Sequence, residues 1–325
     1  MSATNIYIIL IIVLLLIFKL IHRNRKKRHA EVHFGLGEGP MTTMELREDP
    51  NLRLSYANFK TEMFASLSVK YNEVKVIAAG GMGIIVSAID KETKKKVAIK
   101  TIAPKLYNNP KAIKFFFQEF QAIQRMNHPN IIRIYDSYNE GFLYYVMEYL
   151  EGETLEDLMN REGILPIRSV VRIGTQVARA LQHCHSNGIV HRDVKPSNIF
   201  ISSKNNSCKI IDFGVVKDLD SETQDSTAIG SPHYAAPEQL QAGQISGKSD
   251  IYALGVCIFK MVSGEYPYDD ADLATKVFKN PRKIENFRSD IPAKLVKIIY
   301  DSLALDPKER SNAKSLWERL RNIKK

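Results

Sequence analysis

Hydrophobic and polar positions divide this chain into stretches of different rhythm. From Ile6 to Phe18 every residue is apolar apart from one tyrosine hydroxyl, and Ala3 to Ile21 spans 19 positions with a single lysine, Lys19, near its end. At a rise of 1.5 Å per residue, such a stretch covers a hydrocarbon core of about 30 Å, with Lys19 able to snorkel to its boundary. Residues 29 to about 67 are mixed and include Gly35, Gly37, Gly39 and Pro40, a linker pattern with a short helix expected near Asn58 to Leu67. From Tyr71 the rhythm shortens. Lys75–Ala79, Ile84–Ile89 and Lys96–Ile102 read as strands, separated by turn signals at Gly80-Gly81 and Asp90-Lys91.

Helical spacing takes over further on. Ile113, Phe116, Phe117, Phe120 and Ile123 form one apolar face and predict a helix from Lys111 to about Met126. Glu119 projects from that same side, where a carboxylate is costly unless paired, and Lys100 on the third strand is the expected partner. A longer helix is expected from Ile167 to Ser186, with Gly188 just past its end as a stop signal. Cys208–Ile211 reads as a buried strand.

Charge changes the picture only at the N-terminus. The net charge is +10, but Lys19, Arg23, Arg25, Lys26, Lys27 and Arg28 supply six positive charges before the first acid, Glu31, leaving about +4 for everything else. That distribution speaks against a nucleic-acid surface. A basic cluster directly after an apolar run holds its side of the segment in the cytoplasm, and it can also meet anionic headgroups. No charge precedes the run, as it would in a secretory signal. The expectation is an uncleaved single-pass anchor over residues 1–22, with residues 3–21 in the bilayer and the N-terminus outside. A basic juxtamembrane segment and linker over 23–70 would follow, then a globular domain over 71–325 in the cytoplasm. Three widely spaced cysteines, Cys184, Cys208 and Cys257, fit small core residues rather than a disulfide framework or a zinc site.

The chemistry is concentrated in short motifs. His191-Arg192-Asp193-Val194-Lys195-Pro196-Ser197-Asn198 places a proton acceptor, a cation and an amide ligand within six positions, the pattern H-R-D-x-x-x-x-N. Upstream lie the loop Ala78-Ala79-Gly80-Gly81-Met82-Gly83-Ile84-Ile85 and the strand Val97-Ala98-Ile99-Lys100; downstream lie Asp212-Phe213-Gly214 and Ala236-Pro237-Glu238. Gly247-Lys248-Ser249 resembles the end of a Walker A loop, but the required first glycine is Ala242 and no strand feeds it.

In this order the motifs make residues 71–325 resemble a eukaryotic-type (Hanks-type) serine/threonine protein kinase domain, with a glycine loop similar to those of bacterial members. The loop departs from G-x-G-x-x-G-x-V at Ala78 and Ile85. The resemblance implies an α+β bilobal fold, with a β-rich N-lobe over 71–149 carrying one helix and a mainly helical C-lobe over 150–325. It also implies ATP with Mg2+ (or Mn2+) and protein substrates bearing Ser/Thr. Ile77, Ala78, Ala79, Gly80, Gly81, Met82 and Gly83 would surround the nucleotide, Lys100 would meet its phosphates, and Ile85 and Ala98 would cover the base. Met147 would guard the back of the pocket, and the backbone of Glu148 and Leu150 would contact adenine. Asp193 would orient the hydroxyl and take its proton, Lys195 would steady the transferred group, and Asn198 and Asp212 would hold metal. Asp250 would brace the catalytic loop, Glu238 would pair with Arg310, and Ser231 stands where the family usually has threonine.

Thr223, Ser226 and Thr227 are candidate activating phosphosites, with Arg192 as the cation to receive a phosphate and a transient dimer as the route to autophosphorylation. The alternative is a pseudokinase scaffold that binds nucleotide without turnover. Loss of Lys100, Asp193 or Asp212 would favour it; all three are present.

Overall fold

The computed structural model describes residues 50–79, 83–103, 106–139, 142–213, 232–241, 243–273 and 275–323. The expected membrane anchor, the basic run, Gly80-Gly81-Met82, and the loop carrying Thr223, Ser226, Thr227 and Ser231 lie outside them. Among the described residues no helix is long and apolar enough to cross a membrane.

Five strands build the N-lobe: β1 (Tyr71–Ala79), β2 (Gly83–Asp90), β3 (Lys96–Ile102), β4 (Ile134–Asn139) and β5 (Leu143–Glu148). They pair antiparallel in the order β1-β2-β3-β5-β4. Side chains alternate between the faces of a strand, so register decides what meets what. Ala78 pairs with Ile85, Ile85 with Lys100, and Lys100 with Tyr145, while Ala98 pairs with Met147. These residues therefore line one face, towards the cleft. Ile84, Val86, Ala88, Val97, Ile99, Tyr144 and Val146 line the other and are buried as well.

A sheet apolar on both faces needs two covers. Helix α2 (Pro110–Gln124) covers the cleft side with Phe116, Phe120 and Ile123; it is capped by Asn109, whose side-chain oxygen Oδ1 accepts from the backbone amides of Lys111 and Ala112. The outer cover comes from upstream of the motif-bearing region. Helix α1 (Pro50–Lys70) runs directly into β1 and buries Met63 and Leu67 against Tyr71, Val86 and Val146. The sequence pattern suggests only a short helix near 58–67, because the apolar residues of this segment do not fall on one stripe. Lys91 ties down the helix end, its ammonium donating to the carbonyls of Ser68 (2.6 Å) and Val69 (3.2 Å). The packed unit thus begins before Tyr71, within the stretch expected to be linker.

The C-lobe starts with β6 (Gly152–Thr154), α3 (Leu155–Glu162) and the 20-residue α4 (Ile167–Ser186), which stops at Asn187 and a left-handed Gly188, φ +73°. Strands β7 (Ile199–Ser202) and β8 (Cys208–Ile210) form a hairpin beside β6. Short α5 (Pro237–Leu240), then α6 (Gly247–Ser263), α7 (Ala293–Ser302) and α8 (Ala313–Arg321) complete it. Helix α6 is buried on nearly every side, as its almost continuous apolar sequence requires, and is the axis of the lobe. The three cysteines are free and buried.

Replacing Leu67 with alanine should leave a cavity under the outer face and lower stability by about 2–5 kcal/mol. Denaturant unfolding of the full chain checks this; an unchanged midpoint would mean that α1 is not part of the packed lobe.

Candidate active site

Strand β3 and helix α2 bring Lys100 and Glu119 together because each faces the cleft from its own element. The Lys100 ammonium lies 2.7 Å from Glu119 Oε1 and 2.8 Å from Asp212 Oδ1 of the opposite lobe. Tyr145, directly across the sheet from Lys100, donates its hydroxyl to the same Glu119 oxygen at 2.9 Å. One ammonium therefore bridges two carboxyl groups from opposite lobes. Burial pushes the Glu119 carboxyl up to about 8, against the pull of Lys100 and with added repulsion from Asp212. Asp212 is also penalised by burial, but Lys100, a hydrogen bond with Glu119 and the charge of Lys195 together hold that carboxyl below its ordinary range. Burial works against the Lys100 ammonium too, yet Asp212 and Glu119 keep it charged well above the usual lysine range.

Asp212 owes its position to the β7–β8 hairpin. Ile199 pairs with Ile210, and the amide of Ile211 donates to the carbonyl of Asn198 at 3.0 Å. Asn198 and Asp212 thus flank the open mouth of the hairpin. The Asn198 amide nitrogen donates to the Asp193 carbonyl and to Asp193 Oδ2, both at 2.9 Å, and the Lys195 ammonium meets that same carboxylate oxygen at 2.9 Å. The amide oxygen of Asn198 is buried without a protein donor. An orphaned hard oxygen beside a carboxylate is a fitting pair of ligands for Mg2+, which fills most of its octahedron with water and phosphate oxygens. Among the described residues no cluster of His, Cys, Asp and Glu offers a rival metal site.

The loop between α4 and β7 has an unusual backbone, with Arg192 at φ +68°, a region costly for a side chain. Asp250, in the first turn of α6, holds it there. Its carboxylate accepts from the amides of His191 (2.9 Å) and Arg192 (2.7 Å) and contacts His185 Nε2 (2.7 Å). His185 is therefore a structural residue, and His183 stacks on His128. Phe213 packs on His191 with ring centroids 4.6 Å apart, joining the two motif loops. On the substrate side, Arg310 forks onto Glu238 at 2.7 and 2.9 Å, and Ser249 donates to Glu238 at 2.7 Å. The Walker-like residues are consumed in this scaffold: Lys248 donates to the Arg310 carbonyl, and a Cβ on Gly247 would strike the His185 ring at 2.7 Å.

Of the residues expected around a nucleotide, Ile85, Ala98 and Met147 are buried in the cleft core, with Ile77, Ala78 and Leu150 packed against it. Ala79 packs on the outer cluster instead. Gly83 has a packing reason for its identity, since a Cβ there would meet the Thr101 carbonyl at 2.3 Å. The Glu148 side chain turns outward to Lys209 (2.6 Å) and the Arg133 amide (2.8 Å), which fixes the strand between the lobes. Tyr145 is the site residue that motif reading misses. Its alternation with Met147, on the face of Lys100, is the signal that could have found it.

A β-rich lobe closed by a Lys–Glu pair, above a helical lobe presenting Asp193, Lys195, Asn198 and Asp212 at one hairpin mouth, defines the bilobal protein kinase class. The chain belongs to the protein kinase domain family, whose model matches residues 71–320. It is 36% identical over 251 residues to the serine/threonine-protein kinase PrkC of Bacillus subtilis, covering 75% of this chain and 39% of that protein. It is 33% identical over 257 residues to PknB of Mycolicibacterium smegmatis, another serine/threonine-protein kinase, covering 75% and 41%. The chain thus spans about two fifths of the length of these relatives. Among solved structures it resembles a double mutant of the Mycobacterium tuberculosis PknI kinase domain, with TM-score 0.62 and 26% identity over 78% of this chain and 94% of that one. It also resembles Rad53 crystallised with AMP-PNP, with TM-score 0.63 and 25% identity over 78% and 65%.

Glu238→Gln would leave Arg310 buried without its countercharge and should cost about 3–5 kcal/mol. Burial alone would raise the Glu238 carboxyl, but the hydrogen bonds and charge of Arg310 together with the Ser249 hydrogen bond hold it below its ordinary value. Its contribution is therefore present above the unfolded-state carboxylate pKa and lost as pH falls through the lower folded one. Unfolding curves across acid pH should show that component in the wild type and not in the variant.

Proposed function

We propose that this chain transfers the γ-phosphate of ATP to serine and threonine hydroxyls of proteins. The observation that carries the reading is the convergence of Lys195 and Asn198 on one oxygen of Asp193, at the hairpin mouth that also holds Asp212. Asp193 orients the incoming hydroxyl and accepts its proton as the oxygen–phosphorus bond forms and the bond to ADP breaks. Lys195 offsets negative charge on the transferred group. Lys100, kept in place by Glu119 and Tyr145, meets the remaining phosphates in exchange for its contact with Asp212. Mg2+, held by Asn198 and Asp212, would neutralise phosphate charge when bound. Complete retention of these groups, and relatives named as serine/threonine kinases, favour turnover over a scaffold.

Two further elements of the reading rest on sequence. Residues 3–21 anchor the chain in the membrane with the kinase domain on the cytoplasmic side, where ATP is. Phosphorylation at Thr223, Ser226 or Thr227, through a transient pair of chains, orders the loop before Pro232.

Radiolabelled ATP and a generic protein substrate test the activity: Asp193→Asn should reduce transfer by about 10²–10⁴-fold. Mass spectrometry of the same wild-type protein should find phosphate on one of the three loop hydroxyls and none in the variant. Undiminished transfer by Asp193→Asn would overturn the catalytic assignment, and full-length chain recovered free of the membrane fraction would overturn the anchor.

A further inference from the structure

Lys276 opens a 3-10 turn, Lys276–Phe278, and is fully buried. Its ammonium donates to the Pro232 carbonyl at 2.6 Å and lies 3.4 Å from the carbonyl of His233. The Tyr252 ring of α6 is 5.6 Å away. Among the described residues no carboxylate forms an ion pair with it. Among the described residues its partners are these two carbonyls and one aromatic face, which offset only part of the cost of burying a cation. An apolar side chain of similar volume would fill the space more cheaply.

What an apolar side chain could not do is fix two successive peptide planes. Those planes belong to the turn Pro232–Ala236, and that turn borders the catalytic residues. Arg192, Asp193 and Val194 share a small recess with Tyr234, Ala235 and Gln239. Under the kinase reading, a polypeptide that presents its hydroxyl to Asp193 passes beside this shared recess. The turn's other side is also clamped: His233 stacks on Tyr266 at 3.9 Å between ring centroids and lies 3.2 Å from Asp270, and Lys260 donates to the Tyr266 hydroxyl at 2.7 Å. Lys276 grips the same two residues from beneath.

We propose that Lys276 is a positioning residue for the protein substrate, holding the Pro232–His233 backbone at the height the acceptor chain needs. The inference rests on the kinase reading above and adds a substrate-specific residue to it. Burial draws the Lys276 ammonium down to about 7. A neutral amine still donates two hydrogens, so the grip survives loss of the proton.

The test uses the full-length chain with Lys276→Met, and Lys276→Gln as a variant that keeps a shorter donor. Steady-state kinetics are measured separately for protein substrate and ATP, beside thermal unfolding. Lys276→Met should keep or raise the melting temperature and raise KM for protein on the order of 10-fold, the scale of one lost hydrogen bond to a charged donor. KM for ATP should stay within about 2-fold, since the nucleotide site is untouched. Lys276→Gln should fall between wild type and Lys276→Met. Equal KM for protein in all three chains overturns the proposal. So does a lowered melting temperature with parallel losses towards both substrates, which marks a purely structural lysine. A wild type that transfers nothing sinks the activity reading and this inference with it; a working wild type beside an indifferent Lys276→Met sinks this inference alone.

Discussion

One ammonium shared between two lobes sets the terms for the rest of this structure. Lys100 reaches Glu119 on its own side of the cleft and Asp212 on the other, each within 2.8 Å. For that contact to exist, β3 must be in register, α2 must present its carboxylate inward, and the β7–β8 hairpin must deliver Asp212 at its mouth. Tyr145 adds a neutral donor where a second cation would not fit. Burial raises the Glu119 carboxyl while its cationic neighbours hold Asp212 low, so the two carboxyl groups that share this ammonium differ in charge.

Below the cleft the same principle recurs with the signs arranged differently. Asp250 is a buried anion that holds the left-handed Arg192 by accepting two backbone amides, so the catalytic loop keeps a conformation it would not adopt alone. Arg310 is a buried cation matched by the fork onto Glu238. Among the described residues Lys276 is a buried amine met by carbonyls and a ring. Each costs desolvation, and Asp250 in return fixes the backbone next to Asp193. The polar scaffold defines geometry, while α6 and the helices around it supply the bulk of burial.

Much of this was legible beforehand because the information is local. Spacing within the α2 segment puts Glu119 among phenylalanines, and a carboxylate there needs a lysine. The six positions from Asp193 to Asn198 are too short to separate their side chains far. Helix α4 begins and ends where its periodicity and Gly188 place it. Helix α1 was less legible, since its apolar residues make no continuous stripe and its reason to fold is a sheet face formed by strands downstream. The consecutive apolar residues Ile84-Ile85-Val86 and Tyr144-Tyr145-Val146-Met147 announce burial on both faces, yet they do not name the second cover.

By itself the sequence determined β1 to β3, α2, α4 and β8 and which residues carry charge into them, because helix and strand periods and motif spacings are properties of neighbouring positions. Tertiary structure alone decided other partners: Tyr145 on Glu119, α1 on the outer sheet and Lys276 against the Pro232 carbonyl. Those pairings join residues far apart in the chain, and only the packing of whole elements sets the distances at which a buried charge finds its match.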